Sequence, residues 1–271
     1  MIVPSATLGV RTAEPAGRYH SGRAAAVTEA VVENSTAENT VAENTVVENS
    51  AAEDTEPVIA PAPAEAAITS EAELRALLGE PMERAINKER VRLKPIDRRW
   101  LAASPLCFLA TSDEQGNCDV SPKGDPAGFV KVLDDTRLAV PERPGNRRAD
   151  GYHNILRNPH VGMIFVVPGR AETLRINGRA RLVRDAAYFD DMIVKGHRPI
   201  MALEVEIEQV FFHCPKAFLR SSLWKPPTWD PDQLPPHAAI VKSVQWTRES
   251  LEELTEYYGT SYEKSIYVTK K

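Results

Sequence analysis

Short apolar runs, separated by turn residues, fill the middle of the chain. The run at 106–111 is continuously apolar, which is typical of a strand buried on both faces. Residues 172–183 and 199–212 alternate instead between apolar and polar positions, as half-buried strands do. Further short runs lie near 119–122, 129–133, 137–140 and 162–167. Six or more antiparallel strands joined by short turns predict a mainly β, α+β architecture, either a barrel or a sandwich.

Helical patterns are short and lie mostly at the two ends of this region. Ser70 and Glu73 have the spacing of a capping box, and leucines follow on one face. Further helices are predicted near 82–89 and 96–103, the latter carrying Trp100, which we expect to pack against the strands rather than stack on a ligand. Residues 186–194, a short segment after Pro215 and residues 249–258 also have helical patterns.

The first 67 residues differ from the rest. From about Val32 they repeat with a period of five, VENST, AENTV, AENTV, VENSA, AEDTE, which fits neither a helix face nor a strand face. Residues 1–67 hold ten acids and three arginines, while residues 68–271 are almost neutral. We therefore predict a disordered acidic tail and linker at 1–67 and one folded domain at 68–271. A partner-binding role for the tail stays open.

Composition excludes several classes of function. A net charge of −5 argues against a general nucleic-acid binder, and no apolar run approaches the 18 residues of a membrane span. Neither the cysteines nor the histidines have metal-ligand spacing. The three cysteines suit buried, reduced side chains and predict a cytoplasmic protein. They are Cys107, Cys118 and Cys214.

The most informative stretch is 141–162, PERPGNRRADGYHNILRNPHVG. A strand leads into it, prolines and a glycine break regular structure, and a basic cluster follows. Asp150 is placed to cap a short helix that ends at Asn158-Pro159. Arginine side chains beside the start of a helix are suited to a phosphate group. A solvated basic loop is the alternative, and the residues alone do not decide between them.

A family resemblance adds to this reading. The segments SPKGDPAG, PERPGNRR, NILRNP and ETLRINGRA, in that order, resemble the pyridoxamine 5'-phosphate oxidase-like proteins, the FMN-binding split-barrel superfamily. The resemblance covers about residues 80–225 and implies a split β-barrel that binds flavin mononucleotide (FMN). It places the phosphate on Arg147 and Arg148, Lys123 near the phosphate or the ribityl chain, and Ser121 near the ring. The implied cofactor-binding residues are Ser121, Lys123, Arg143, Asn146, Arg147 and Arg148.

The resemblance does not extend to a substrate site. True pyridoxamine phosphate oxidases have an Arg-x-x-Leu-Leu-Lys strand and a C-terminal Arg-x-His element, and this chain has Asp119-Val120-Ser121-Pro122-Lys123 instead. We therefore expect a homodimeric, flavin-dependent oxidoreductase acting on an unidentified small molecule, and assign no catalytic residue. The alternatives are a flavin store or sensor without turnover, and a split barrel that binds deazaflavin or haem. His213 and Arg220 are the nearest C-terminal candidates to reach a partner's site.

Overall fold

One antiparallel sheet forms the framework, and its spatial order differs from the chain order. The computed structural model describes residues 67–268. The strands are β1 (Leu106–Ser112), β2 (Cys118–Gly124), β3 (Lys131–Val132), β4 (Arg137–Glu142), β5 (His160–Val166), β6 (Thr173–Val183) and β7 (Met201–His213). They are arranged in the order β2-β1-β5-β6-β7-β4-β3, and every neighbouring pair is antiparallel. The predicted mainly β, α+β split barrel is confirmed, with seven strands rather than about six.

Short helices precede, interrupt and follow the strands along the chain. They are α1 (Glu71–Leu78), α2 (Glu83–Ile86), α3 (Pro95–Ala103), α4 (Asp150–Arg157), α5 (Lys216–Arg220), α6 (His237–Val244), α7 (Leu251–Tyr257) and α8 (Thr260–Lys264). In the described part of the chain, none of them has the length and apolar character needed to cross a membrane. The predicted acidic tail at 1–67 lies, except for Ala67, outside the described residues, so the two-part division stays a prediction.

The main core lies on one face of the sheet and includes Trp100 of α3, while a smaller buried cluster on the opposite face contains Ala139, Phe189, Met192 and Ala202. Trp100 is buried in the main core, with its ring centroid 5.2 Å from that of Phe212 in an edge-to-face contact. Its indole N–H donates to the Phe165 carbonyl at 3.3 Å. A large aromatic ring with its polar atom satisfied is a stable core element, and the predicted core role of Trp100 is confirmed.

Three sequence expectations are corrected by the fold. Strand β1 is buried on one face only, because Phe108 and Ala110 point away from the core and are exposed. Of the cysteines only Cys107 is buried, and burial raises the pKa of its thiol to about 12. The helix expected at 186–194 is a shorter 3₁₀ turn, Ala187–Met192, because Val194 pairs with His197 in a tight turn.

Candidate functional site

A cavity of about 360 Å³ lies between β2, the end of β4 and the start of α4. Its size is within the usual range for small-molecule sites. Five of the six predicted cofactor-binding residues line it, and Arg143 does not. The lining residues are Leu109, Asp119, Ser121, Lys123, Glu142, Gly145, Asn146, Arg147, Arg148, Ala149, Asp150, Gly151 and Tyr152.

Strand β2 supplies one wall of the cavity through its alternation. Asp119, Ser121 and Lys123 are partly buried and share one face of the strand, while Val120 and Pro122 point to the other face and are exposed. The period of two therefore brings a carboxylate, a hydroxyl and an ammonium group into one row. Sequence reasoning identified the last two and missed Asp119.

The loop from Gly145 to Ala149 forms the opposite wall and has an unusual backbone. Arg147 and Ala149 have φ angles of 65° and 61°, in the left-handed region. This conformation costs a residue with a side chain about 1–2 kcal/mol, and such strain concentrates at functional sites. The Asn146 side-chain oxygen accepts a hydrogen bond from the Arg148 N–H at 3.0 Å. Asn146 thus stabilises the turn that presents the two arginines.

Helix α4 begins at this loop, but not in the predicted way. Asp150 is the first helical residue, and Ala149 occupies the N-cap position without a side-chain cap. The Asp150 carboxylate instead accepts from Nε of Arg148 at 2.7 Å. The expectation that Asp150 caps the helix was therefore wrong, because the neighbouring guanidinium competes for the carboxylate. The start of α4 therefore lines the cavity, and its N-cap residue makes no side-chain hydrogen bond within the described part of the chain.

A cluster of three polar side chains occupies another part of the cavity wall. Nζ of Lys123 lies 3.0 Å from Oε2 of Glu142 and 2.7 Å from the hydroxyl of Tyr152. The Tyr152 hydroxyl in turn donates to Glu142. Burial raises the pKa of Tyr152 well above its usual value, and the Glu142 carboxylate raises it further, so the phenol stays protonated. We refer to Lys123, Glu142 and Tyr152 as the polar triad.

Sequence reasoning missed two members of the polar triad. Glu142 follows a strand proline and Tyr152 lies in the first turn of α4, and neither position carries a recognisable motif. Their meeting with Lys123 depends on how β4, α4 and β2 come together. Gly151 allows this close approach, because a Cβ atom there would lie 3.0 Å from Oδ2 of Asp119.

Arg143 has a different position from the other predicted residues. Its Nε donates to Oδ2 of Asp125 at 2.6 Å, and its other nitrogens donate to the carbonyls of Met192 and His197 at 2.6 and 3.1 Å. The hydroxyl of Tyr267 donates to the second oxygen of Asp125 at 2.5 Å. Both charged side chains are largely buried. Arg143 therefore holds the base of the basic loop to the rest of the protein.

The other polar candidates also lie outside the cavity. His213 ends β7, where burial, with Lys88 and Arg175 close by, lowers its pKa. Arg220 lies on α5, and neither residue lines the cavity. Asn154 donates to the Thr111 hydroxyl at 3.1 Å and so fastens α4 to β1. Within residues 67–268, no three His, Cys, Asp or Glu side chains are grouped so as to hold a metal ion.

The lining residues meet the main requirements of a phosphorylated flavin. Arg147, Arg148 and the uncapped start of α4 provide cationic and N–H groups for a phosphate. Polar side chains on β2 and in the polar triad can bind hydroxyl and imide groups, and Leu109 gives an apolar surface. Three carboxylates, Asp119, Glu142 and Asp150, balance the three cations of the lining, so the cavity has no large excess of positive charge.

One family model and several solved structures are similar to part of this chain. The family model described as Pyridoxamine 5'-phosphate oxidase matches residues 93–214. A search of curated proteins gave no match. Among solved structures, HupZ of Group A Streptococcus is 19% identical, with a TM-score of 0.37 over 44% of this chain and 93% of that one.

Two further solved structures are similar to part of the chain. A Lactobacillus delbrueckii protein, whose description suggests a pyridoxamine 5'-phosphate oxidase, is 27% identical, with a TM-score of 0.36 over 45% of this chain and 95% of that one. The haem storage protein HutZ of Vibrio cholerae is 20% identical, with a TM-score of 0.32 over 44% of this chain and 94% of that one.

Proposed function

Because this chain carries a domain of the pyridoxamine 5'-phosphate oxidase-like family, we propose that it binds FMN in the cavity between β2 and α4 and acts as a flavin-dependent oxidoreductase on a small molecule. The observation that carries the proposal is the cavity wall itself. A strained loop presents Arg147 and Arg148 beside the start of α4, opposite the polar row of β2. A cytoplasmic location stays a prediction.

The phosphate of the cofactor would be held by the basic loop. Arg148 is paired with Asp150, but the two side chains are 76% and 44% exposed. An ion pair this exposed contributes little stability, so Arg148 can exchange Asp150 for a phosphate at small cost. A guanidinium group binds phosphate through two parallel hydrogen bonds, which fixes the orientation of the ligand.

The division of labour follows from the cofactor's chemistry. Bound FMN supplies the hydride or electron transfer itself, and the protein supplies binding, orientation and polarity. In this chain the basic loop would bind the phosphate, and β2 would line the rest of the ligand. The protonated hydroxyl of the half-buried Tyr152 donates to Glu142 and accepts from Lys123, so it orients these two side chains at the cavity wall.

The haem alternative has little support in the cavity lining. Axial ligands of haem iron are His, Met, Cys or Tyr side chains, and the lining contains no His, Met or Cys. Its one tyrosine, Tyr152, is hydrogen-bonded to Glu142 and Lys123. A deazaflavin also carries a phosphate that would suit the basic loop, so the ligand's absorption spectrum has to distinguish it from FMN.

We also propose that the protein is a homodimer. On the outer face of the sheet, Phe108 lies between Pro122 and Ile164 in the strand register, and Ala110 lies between Val120 and Gly162. Phe108, Val120 and Ile164 are exposed, and together they form a contiguous apolar patch on three adjacent strands. Such a patch on a sheet face is typical of an interaction surface, and a second copy of the chain would cover it.

The cofactor proposal is tested by the double variant Arg147→Ala/Arg148→Ala. Hydrogen bonds to charged groups contribute about 1.5–3 kcal/mol each, so we expect the affinity for FMN to fall at least about 100-fold. The matched control, Arg157→Ala/Arg184→Ala, removes two exposed arginines outside the cavity and should bind FMN as the wild type does. Absorption spectra of the purified proteins and titration with FMN provide the measurement.

Each outcome has a clear meaning. Loss of binding in the cavity variant alone supports the phosphate assignment. A colourless wild-type protein that does not take up FMN would contradict the cofactor proposal. If FMN binds, turnover is tested by reducing the flavin with a nicotinamide cofactor without oxygen and adding candidate acceptors. A flavin that no reductant bleaches and no acceptor reoxidises would instead indicate a store or sensor.

A further inference from the structure

The charged groups of the polar triad, unlike those of the basic loop, are paired with each other away from water. Lys123 and Glu142 are 16% and 23% exposed, so their ion pair is mostly removed from water. Tyr152 joins them, because its hydroxyl accepts from Lys123 and donates to Glu142. The ammonium and the carboxylate cancel, and the phenol is neutral. The triad therefore presents no net charge to the cavity.

The two cationic parts of the cavity would respond differently to a phosphate. In the loop, Arg148 exchanges an exposed carboxylate for the ligand with little loss. In the triad, a phosphate that approached Lys123 would also approach the Glu142 carboxylate, which already neutralises the ammonium and would repel a dianion. A dianion is thus drawn to the loop and not to the triad. The sequence had left open whether Lys123 lies near the phosphate or near the ribityl chain.

The triad can still bind a neutral polar group. A lysine ammonium has three N–H donors, and two of those of Lys123 are used within the triad. Oε1 of Glu142 has no hydrogen-bond partner among residues 67–268. A donor and an acceptor therefore lie side by side, and Ser121, two residues before Lys123 on the same face of β2, adds a hydroxyl. This pattern matches groups that both donate and accept, such as hydroxyls and imides.

We propose that Lys123, Glu142 and Tyr152 form a subsite for the uncharged polar part of the ligand, and that selection for the phosphate belongs to Arg147 and Arg148 alone. The inference rests on the proposed binding of FMN. It assigns a role in ligand binding to Glu142 and Tyr152, and it separates Lys123 from the phosphate site.

Riboflavin, which is FMN without its phosphate, allows the two subsites to be measured separately. Both flavins are titrated against flavin-free protein, with quenching of flavin fluorescence as the readout. Tyr152→Phe, which removes the hydroxyl that orients Lys123 and Glu142, should weaken both ligands by the same factor, about 2- to 10-fold. Arg147→Ala/Arg148→Ala should weaken FMN and not riboflavin. The Arg157→Ala/Arg184→Ala control should change neither affinity.

Lys123 and Glu142 are best removed together, as Lys123→Met/Glu142→Gln, because removal of one partner would leave a buried charge and affect folding. This variant should also weaken both flavins equally. A larger loss for FMN than for riboflavin, in it or in Tyr152→Phe, would overturn the inference and assign Lys123 to the phosphate. Unchanged affinities for both flavins would overturn it too. If the wild-type protein binds neither flavin, the proposed function itself fails.

Discussion

At Gly178 strands β6 and β7 approach so closely that only a residue without a side chain fits. A Cβ atom there would lie 1.9 Å from the carbonyl oxygen of Glu206. The register between the two strands shifts between Asn177 and Gly178, which marks a β-bulge. A glycine inside an otherwise regular strand pattern often marks such a close approach, so the RINGR segment indicates the bulge in the sequence.

Gly178→Ala should therefore destabilise the protein strongly. Overpacking costs about 1–3 kcal/mol and sometimes more, and here the obstacle is backbone rather than a movable side chain. We expect a loss of about 3 kcal/mol or a failure to fold. Gly145→Ala is the control, since a Cβ at Gly145 meets nothing within 4 Å. Thermal unfolding compares the two, and equal midpoints would refute the prediction.

Glu204 is a residue whose charge should matter for stability in acid. It lies in β7, largely buried, and accepts hydrogen bonds from Tyr188 and Arg181, at 2.7 Å in each case. Burial alone would raise the pKa of Glu204, but these two partners together lower it below its usual value. A lowered pKa in the folded state means stability that is present above the unfolded pKa and lost as the pH falls.

Glu204→Gln should therefore reduce the acid sensitivity of the fold. We expect the wild type to lose more free energy of unfolding than the variant between about pH 5 and pH 3. Denaturant unfolding at each pH gives the values. Glu208→Gln, on an exposed position of the same strand, should keep the acid response of the wild type. Parallel curves for Glu204→Gln and the wild type would show that this carboxylate is not responsible.

At the scale of elements, the sequence predicted those features that depend on the local pattern of residues. Apolar alternation predicted the long strands, Asn158-Pro159 predicted the end of α4, and Ser70 does accept a hydrogen bond from the Glu73 N–H at the start of α1. The position of the basic loop between a strand and a helix also followed from local breakers. These features depend on neighbours within a few residues, so one segment contains the information.

Features that depend on the packing of distant elements did not follow from the sequence. Glu142 and Tyr152 meet Lys123 only because β4, α4 and β2 converge, and no spacing rule connects these three positions. Arg143 looked equivalent to Arg147 along the chain, but its buried pairing with Asp125, eighteen positions away, gives it a structural role. Charged residues that are close together in the chain can thus have different roles, one lining the cavity and another stabilising the fold.

At the scale of the whole molecule, the exposed outer face of the sheet is the feature to test. Phe108→Asp should place a charge in the apolar patch and shift the protein from dimer to monomer, because a buried unpaired charge is unfavourable. Light scattering after gel filtration measures the mass. Val244→Asp changes an equally apolar, exposed residue on α6 and should leave the mass unchanged. A wild-type monomer, or a Phe108→Asp dimer, would contradict the proposal.

The anchor of Arg143 has a practical consequence at the bench. Tyr267, which completes this anchor through Asp125, follows α8 in the chain. Its ring also stacks against His197, with centroids 5.9 Å apart. A purification tag fused close behind Tyr267 would disturb the segment that holds the base of the basic loop. A tag at the other end, or one cleaved off before flavin titration, leaves this anchor undisturbed.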